Sequence, residues 1–196
     1  MTRPLRFESC GLGPNEVYDN VQFHSCGADV RVDDWVRITR PELVDIGSHV
    51  AIDFGFYCSV RMTIGDYVHI SPHVSVVGGI DGFLAIDSFI TISSGSRLVC
   101  NGETFSGEGL VGPFIPKEFR DRLKCAPIRM ERFSSVASNA VILAGCALAE
   151  GSVVGAGSVL TKSTEPWTVY AGVPARPIKK RPADIMKAFA RKMGYE

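Results

Sequence analysis

The stretch VASNAVILAGCALAEGSVVGAGSVL, Val136 to Leu160, decides the fold. Its aliphatic residues recur at Val136, Ile142, Leu148, Val154 and Leu160, a period of six. The residues two places earlier, Ala140, Cys146, Ser152 and Ser158, are small or apolar. A strand alternates its faces every second residue, so two inward positions around one outward position make a short strand, and the rest of the hexad makes a turn. Apolar residues at i and i+6 fall on different sides of a helix, which excludes a helical reading. Ordinary alternating strands would carry turn signals every 8 to 12 residues or about that, and none are present.

Working outward, the same period runs through Ile46, Ile52, Cys58, Ile64, Ile70 and Val76, then Ile86, Ile92 and Leu98, and resumes at Met130. The accompanying inner positions are Val50, Phe56, Met62, Val68, Val74, Ile90 and Ser96. Three hexads close a triangular coil of about eighteen residues, and stacked coils share one aliphatic core. The expectation is an all-β parallel β-helix. Its regular coils are Ile46 to Thr63, Ile64 to Ala85, Ile86 to about Arg129, Met130 to Ala147 and Leu148 to about Glu165.

The organisation expected is an irregular cap with a first partial coil over 1–43, the β-helix over 44–165 with an extruded loop at 99–128, and a closing segment over 166–196. The short interruption within Gly78–Ala85 and the long one from Val99 to Ile128 both follow the third hexad of a coil, so both leave the same edge of the prism. Long excursions from a rigid scaffold usually serve function or contact a partner. Prolines 166, 174, 177 and 182 stop the ladder, and Ala183–Lys192, with Ile185, Met186 and Phe189 followed by Met193, reads as a short terminal helix.

The 21 basic and 21 acidic residues balance, so no global field favours nucleic acid or an anionic membrane. Six cysteines without a CxxC pair, and a start MTRPLRFESC without an apolar run, point to reduced thiols and a cytoplasmic place. The apolar run Ala140–Leu160 is broken by Glu150 and by glycines, against a membrane span.

Val136–Arg181, closing on VYAGVPARPIKKR, resembles the hexapeptide-repeat acyltransferases, and the likeness covers Val44 to Arg181. Ala137, Ser93 and Ala149 stand where that repeat has glycine, and their small side chains also suit a tight corner. The resemblance implies a left-handed β-helix working as a homotrimer, with an acyl-CoA donor in a cleft between neighbouring coils. YVHISPHVSVVGG, NGETFSGEGLVGPFIP and EPWTVYAGVPARPI together resemble bacterial enzymes that N-acetylate nucleotide-linked amino sugars, such as dTDP-4-amino-4,6-dideoxyglucose N-acetyltransferases.

Acyl transfer from a thioester needs a nucleophile and a group to accept its proton, most often histidine. His69 lies between inward Val68 and Ile70 and is expected to point outward, while His73 falls at a corner. The resemblance, through IGDYVHIS, places His69 beside the thioester. It also puts that group's base at Val60, and the loop histidine of the xenobiotic and galactoside branch within NGETFSG, where this chain offers Glu103 and Glu108. Three readings stay open: His73 as base, Glu103 as base, or an amine that arrives deprotonated. His24 and His49 read as surface residues.

Gly155, Ala156 and Gly157 leave room for a pantetheine arm, although a turn alone also demands small residues. Lys162, Arg176, Lys179, Lys180 and Arg181 are placed to pair with coenzyme A phosphates, against the alternative of a solvated basic tail. Phe105, Phe114 and Phe119 read as packing anchors against a neighbouring subunit. No metal is expected. A zinc hydratase of the carbonic anhydrase type would need three gathered histidines, and an ice-binding coil would need flat rows of threonine. Acylation of a sugar hydroxyl is the nearer alternative, and the missing loop histidine favours an amine.

Overall fold

The computed structural model describes residues 22–196. Cys10 and the first 21 residues of the expected cap lie outside the described residues. The chain winds through six coils, each laying one short strand on each of three parallel sheets. The first face carries Ser25–Cys26, Val44–Ile46, Arg61–Ile64, Phe83–Ile86, Ile128–Met130 and Ala147–Leu148. The second carries Arg31–Val32, Ala51–Ile52, His69–Ile70, Thr91–Ile92, Ser135–Val136 and Val153–Val154. The third carries Arg37–Ile38, Tyr57–Cys58, Ser75–Val77, Arg97–Val99, Val141–Leu143 and Val159–Leu160.

Register turns the period of six into geometry. Residues six apart lie on successive faces, and residues one coil apart stack. Ile46, Ile64, Ile86, Met130 and Leu148 form one column. Val32, Ile52, Ile70, Ile92, Val136, Val154 and Tyr170 form the second, and Ile38, Cys58, Val76, Leu98, Ile142 and Leu160 the third. The columns meet in one core, with the second inward set from Val50 to Ser158 buried beside them. Each large aliphatic side chain so removed from water contributes about 1.5–3 kcal/mol. Stacking replaces the long strands that a 196-residue sheet protein would otherwise need.

The corners differ in kind. At the first, between the first and second faces, the N–H of each corner residue donates to the coil before it: Tyr67 to Ser48, Phe89 to Asp66, Phe133 to Ser88, Gly151 to Arg132 and Trp167 to Glu150. The turn demands positive φ, which bulky residues resist by about 1–2 kcal/mol. Yet His49, Tyr67, Phe89, Phe133 and Trp167 all adopt it, at φ 52–63°. Their rings stack in a ladder along the corner, His49 on Tyr67 at 4.5 Å, Tyr67 on Phe89 at 5.2 Å and Phe89 on Phe133 at 5.3 Å. Such pairs contribute about 0.5–1.5 kcal/mol each, which offsets the backbone strain. Tyr195, beyond the terminal helix Asp184–Lys192, meets Tyr67 and Phe89 edge-on and donates its hydroxyl to Asp66 at 2.8 Å.

Both interruptions leave the third corner, where the chain steps from one coil to the next. Residues 78–82 widen the step from Val77 to Phe83, and the long excursion folds back as an antiparallel hairpin of Asn101–Glu103 with Leu123–Cys125. At the far end the ladder continues one strand further than the prolines suggest. Thr168–Gly172 pairs in parallel with Val153–Val154, and Ala175–Lys180 then returns antiparallel along it. Pro177 is accommodated on this edge strand beside a register shift between Val169 and Tyr170, where a missing N–H is tolerated.

Candidate active site

His69 occupies the outward position of its second-face strand because Val68 and Ile70 on either side are drawn into the core. Its neighbours in register are Ala51 on the coil before and Thr91 on the coil after. Two residues beyond Ala51, at the next outward position, stands Asp53. The imidazole Nε2 donates to Asp53 Oδ2 at 2.7 Å, and Arg31 donates to the other carboxylate oxygen at 3.4 Å. The Asp53 side chain is 14% exposed between these partners, and that of His69 is 45% exposed. Three consecutive coils therefore meet in one charged cluster on the second face.

His73 sits at the second corner with φ +60° and donates its backbone N–H to the Phe54 carbonyl at 3.0 Å. Its ring lies over Gly55, where an added Cβ would come within 2.6 Å of Nδ1, and meets the Phe54 ring edge-on at 5.2 Å. His73 thus closes a corner, with its ring exposed beside the cluster's coil. Glu103 lies on the extruded hairpin, and its carboxylate accepts the Gly112 N–H at 2.6 Å, bracing its own loop. Glu108 pairs with Arg122 at 2.8 Å. Within one chain the histidines belong to the second face and second corner, and Glu103 to the excursion from the third. Val60 is buried in the core.

The loop has an internal anchor in Asp121. Its carboxylate accepts the Ser106 hydroxyl at 2.6 Å and the backbone N–H groups of Arg122 and Gly107. These bonds, the Ser106 hydroxyl foremost, hold its carboxyl below the usual carboxylate range. Phe105, Phe114 and Phe119 project from the loop, Phe114 with 97% of its surface exposed.

Gly155, Ala156 and Gly157 form the second corner of the last coil. Gly155 packs under the closing strand, its N–H donating to the Tyr170 carbonyl at 2.8 Å, while an added Cβ on Gly157 would meet nothing within 4 Å. The basic residues separate. Arg176, opposite Ala171, stands beside the hairpin turn next to this corner. Lys179 and Lys180 lie further along the same strand, where Lys180 binds Glu165 and Thr168, and Arg181 lies over the Trp167 ring at the first corner. Lys162 follows the last third-face strand and is exposed near the third corner.

The cluster that sequence spacing left unnoticed is Asp53 with Arg31. Its signal was present: in a coil of eighteen, a residue sixteen before His69 is its diagonal outward neighbour, and only Asp53 there is acidic. Cys58 and Cys100 are buried thiols, pushed by burial up to about 12 and about 11. The five described cysteines, Cys26, Cys58, Cys100, Cys125 and Cys146, are all free. Among the described residues no three His, Cys, Asp or Glu side chains gather as a metal site, and no helix is long and apolar enough to cross a membrane.

No protein-family model matches the chain. Over 168 residues it is 27% identical to the dTDP-4-amino-4,6-dideoxy-D-glucose acyltransferase of Escherichia coli, spanning 84% of this chain and 86% of that one. It is 34% identical over 124 residues to WbbJ, a putative lipopolysaccharide biosynthesis O-acetyl transferase of E. coli K12, covering 63% and 60%. Among solved structures it superimposes on AntD, an N-acyltransferase from Bacillus cereus in complex with dTDP and coenzyme A, with TM-score 0.84 and 28% identity over 89% of this chain and 92% of that chain. The hexapeptide-repeat acetyltransferase VCA0836 from Vibrio cholerae shares the fold at TM-score 0.59 and 20% identity, covering 84% of this chain and 77% of that one. Six stacked hexapeptide coils with these relatives make the chain a hexapeptide-repeat acyltransferase. Within that class it resembles the bacterial enzymes that acylate nucleotide-linked amino sugars.

Proposed function

We propose that the chain moves an acyl group from acyl-CoA to the amine of a sugar carried on a nucleotide, dTDP by likeness to AntD and the E. coli relative. Such a reaction serves surface polysaccharide synthesis in the cytoplasm. The observation that carries the chemistry is the His69 imidazole, with Nε2 committed to Asp53 and Nδ1 without a partner among the described residues. His73 is engaged in a corner and Glu103 in bracing its loop, so His69 is the better proton acceptor of the three.

As the amine nitrogen bonds to the thioester carbon, its proton passes to His69 Nδ1. The C–S bond then breaks, and the departing thiolate takes the proton back. Proton transfer by a positioned side chain contributes about 10²–10⁴-fold. The open corner at Gly157, flanked by Gly155 and Ala156, suits a pantetheine arm, and Arg176 beside it suits a phosphate, with Lys179 further along the strand and Lys162 near the third corner as outlying contacts. The exposed phenylalanines of the loop support a homotrimer, in which they pack against the neighbouring subunit.

The test is a panel of nucleotide-linked amino sugars and their hydroxyl counterparts with acetyl-CoA and longer acyl donors, followed by thiol release. The likeness to WbbJ makes O-acylation the second reading. Turnover of hydroxylated sugars with none of amino sugars would replace the first reading by the second. Sedimentation of the pure protein at the mass of a monomer would refute the trimer.

A further inference from the structure

Asp53 has a place in the fold that sheet pairing alone does not require. It lies just beyond its strand, at an outward position, yet its carboxylate is largely covered, one oxygen on His69 and the other on Arg31. Arg31 and His69 stand directly below and above Ala51 in the same outward row, so both reach diagonally to the one acidic residue between them. We infer that Asp53 is a positioning residue for acyl transfer, which with Arg31 fixes the tautomer of His69 so that Nδ1 keeps its lone pair. This assignment rests on the reading of His69 as proton acceptor.

The argument is one of donors and acceptors. A carboxylate only accepts, and a neutral imidazole has a single N–H. At 2.7 Å the shared position between Nε2 and Oδ2 must hold a proton, and the carboxylate does not supply it, so Nε2 carries the hydrogen. Nδ1 is then the basic nitrogen. Were the hydrogen on Nδ1 instead, two lone pairs would face one another across that distance. Arg31 sharpens the device, because a guanidinium only donates and therefore claims an oxygen of residue 53 whatever that residue becomes.

This makes Asp53→Asn a directed test. The amide oxygen of asparagine must turn to Arg31, which leaves its NH2 facing Nε2. That nitrogen now has to accept, and the hydrogen moves to Nδ1, where it blocks proton uptake. The isosteric change leaves packing intact. Histidine tautomers are read by ¹⁵N NMR on the full chain, with His69→Gln identifying the signal among four histidines. The expected result is an Nε2–H tautomer in the wild type and an Nδ1–H tautomer in Asp53→Asn. In the same variant kcat should fall by about a hundredfold or more while KM for the acyl donor stays within about threefold.

Adding Arg31→Ala to Asp53→Asn frees the amide to rotate, so part of the Nε2–H tautomer and about tenfold of kcat should return, an outcome that mere loss of a surface ion pair cannot produce. Asp53→Ala, which leaves Nε2 without its acceptor, is the second variant and should show both tautomers. An unchanged tautomer in Asp53→Asn overturns the assignment, and so does an inverted tautomer with undiminished turnover. If the wild type releases no thiol with any nucleotide-linked amino sugar, the proposed reaction fails on its own, and the tautomer measurement still decides the role of Asp53.

Discussion

Gly151 and Gly157 share the same backbone conformation, φ +65°, on the same coil, but not the same surroundings. A Cβ on Gly151 would lie 2.4 Å from the ring atoms of Trp167, whereas a Cβ on Gly157 would meet nothing within 4 Å. Alanine at either site bears the left-handed backbone penalty of about 1–2 kcal/mol. At Gly151 it also overpacks against a ring held by Phe133 on one side and by Arg181 and Lys187 on the other, which adds about 1–3 kcal/mol. Gly151→Ala should therefore destabilise the chain by about 2 kcal/mol more than Gly157→Ala. With a urea m-value at the upper end of about 1–3 kcal/mol/M, the unfolding midpoints should differ by about 0.7–1 M. Equilibrium urea unfolding followed by tryptophan emission reads the midpoint, and Trp167, one of two tryptophans, should shift its native emission in Gly151→Ala alone. Trp167→Ala placed on top of Gly151→Ala removes the clash, so the two changes should combine non-additively. Equal midpoints for the two alanine variants would refute the ladder as a packed element.

Val154→Asp buries an unpaired charge in the second column, and the expected result is loss of the folded state, seen as loss of the β-sheet circular dichroism signal. Cys58 and Cys100 should resist alkylation at pH 8 in the native protein while exposed Cys125 reacts, as read by mass spectrometry of labelled peptides; labelling of all three at one rate would contradict the burial described. The same thiols set an alkaline limit. Their folded values lie above the ordinary 9.0, so the folded state holds protons that the unfolded chain releases, and stability is full below pH 9 and declines as pH rises towards 11–12. Thermal unfolding across that range checks the sign, and in Cys58→Ala the decline should be shallower.

Much of the architecture was open to reading from residue order. Val136 to Leu160 states the hexad, and every inward residue counted from Val50 to Ser158 is buried, because a strand of two or three residues has no freedom to present another face. The shared edge of the two insertions followed from counting hexads, and the outward aim of His69 from its apolar neighbours. The aromatic ladder was not read, since Tyr67, Phe89 and Phe133 come at unequal spacings of 22 and 44 residues and sit in a backbone region that bulky side chains seldom enter.

The sequence by itself determined the period, the inward set and the class of fold, because these depend on local alternation and on the burial of apolar surface. Only the tertiary structure decided which polar groups meet. Asp53 reaches His69 and Arg31 across coils, Glu103 turns back to Gly112, and the basic residues of the last turns part to different corners. A hydrogen bond depends on side-chain rotamers and on tenths of an ångström between stacked coils, whereas a hydrophobic column needs only the right face, and residue spacing encodes the face but not the rotamer.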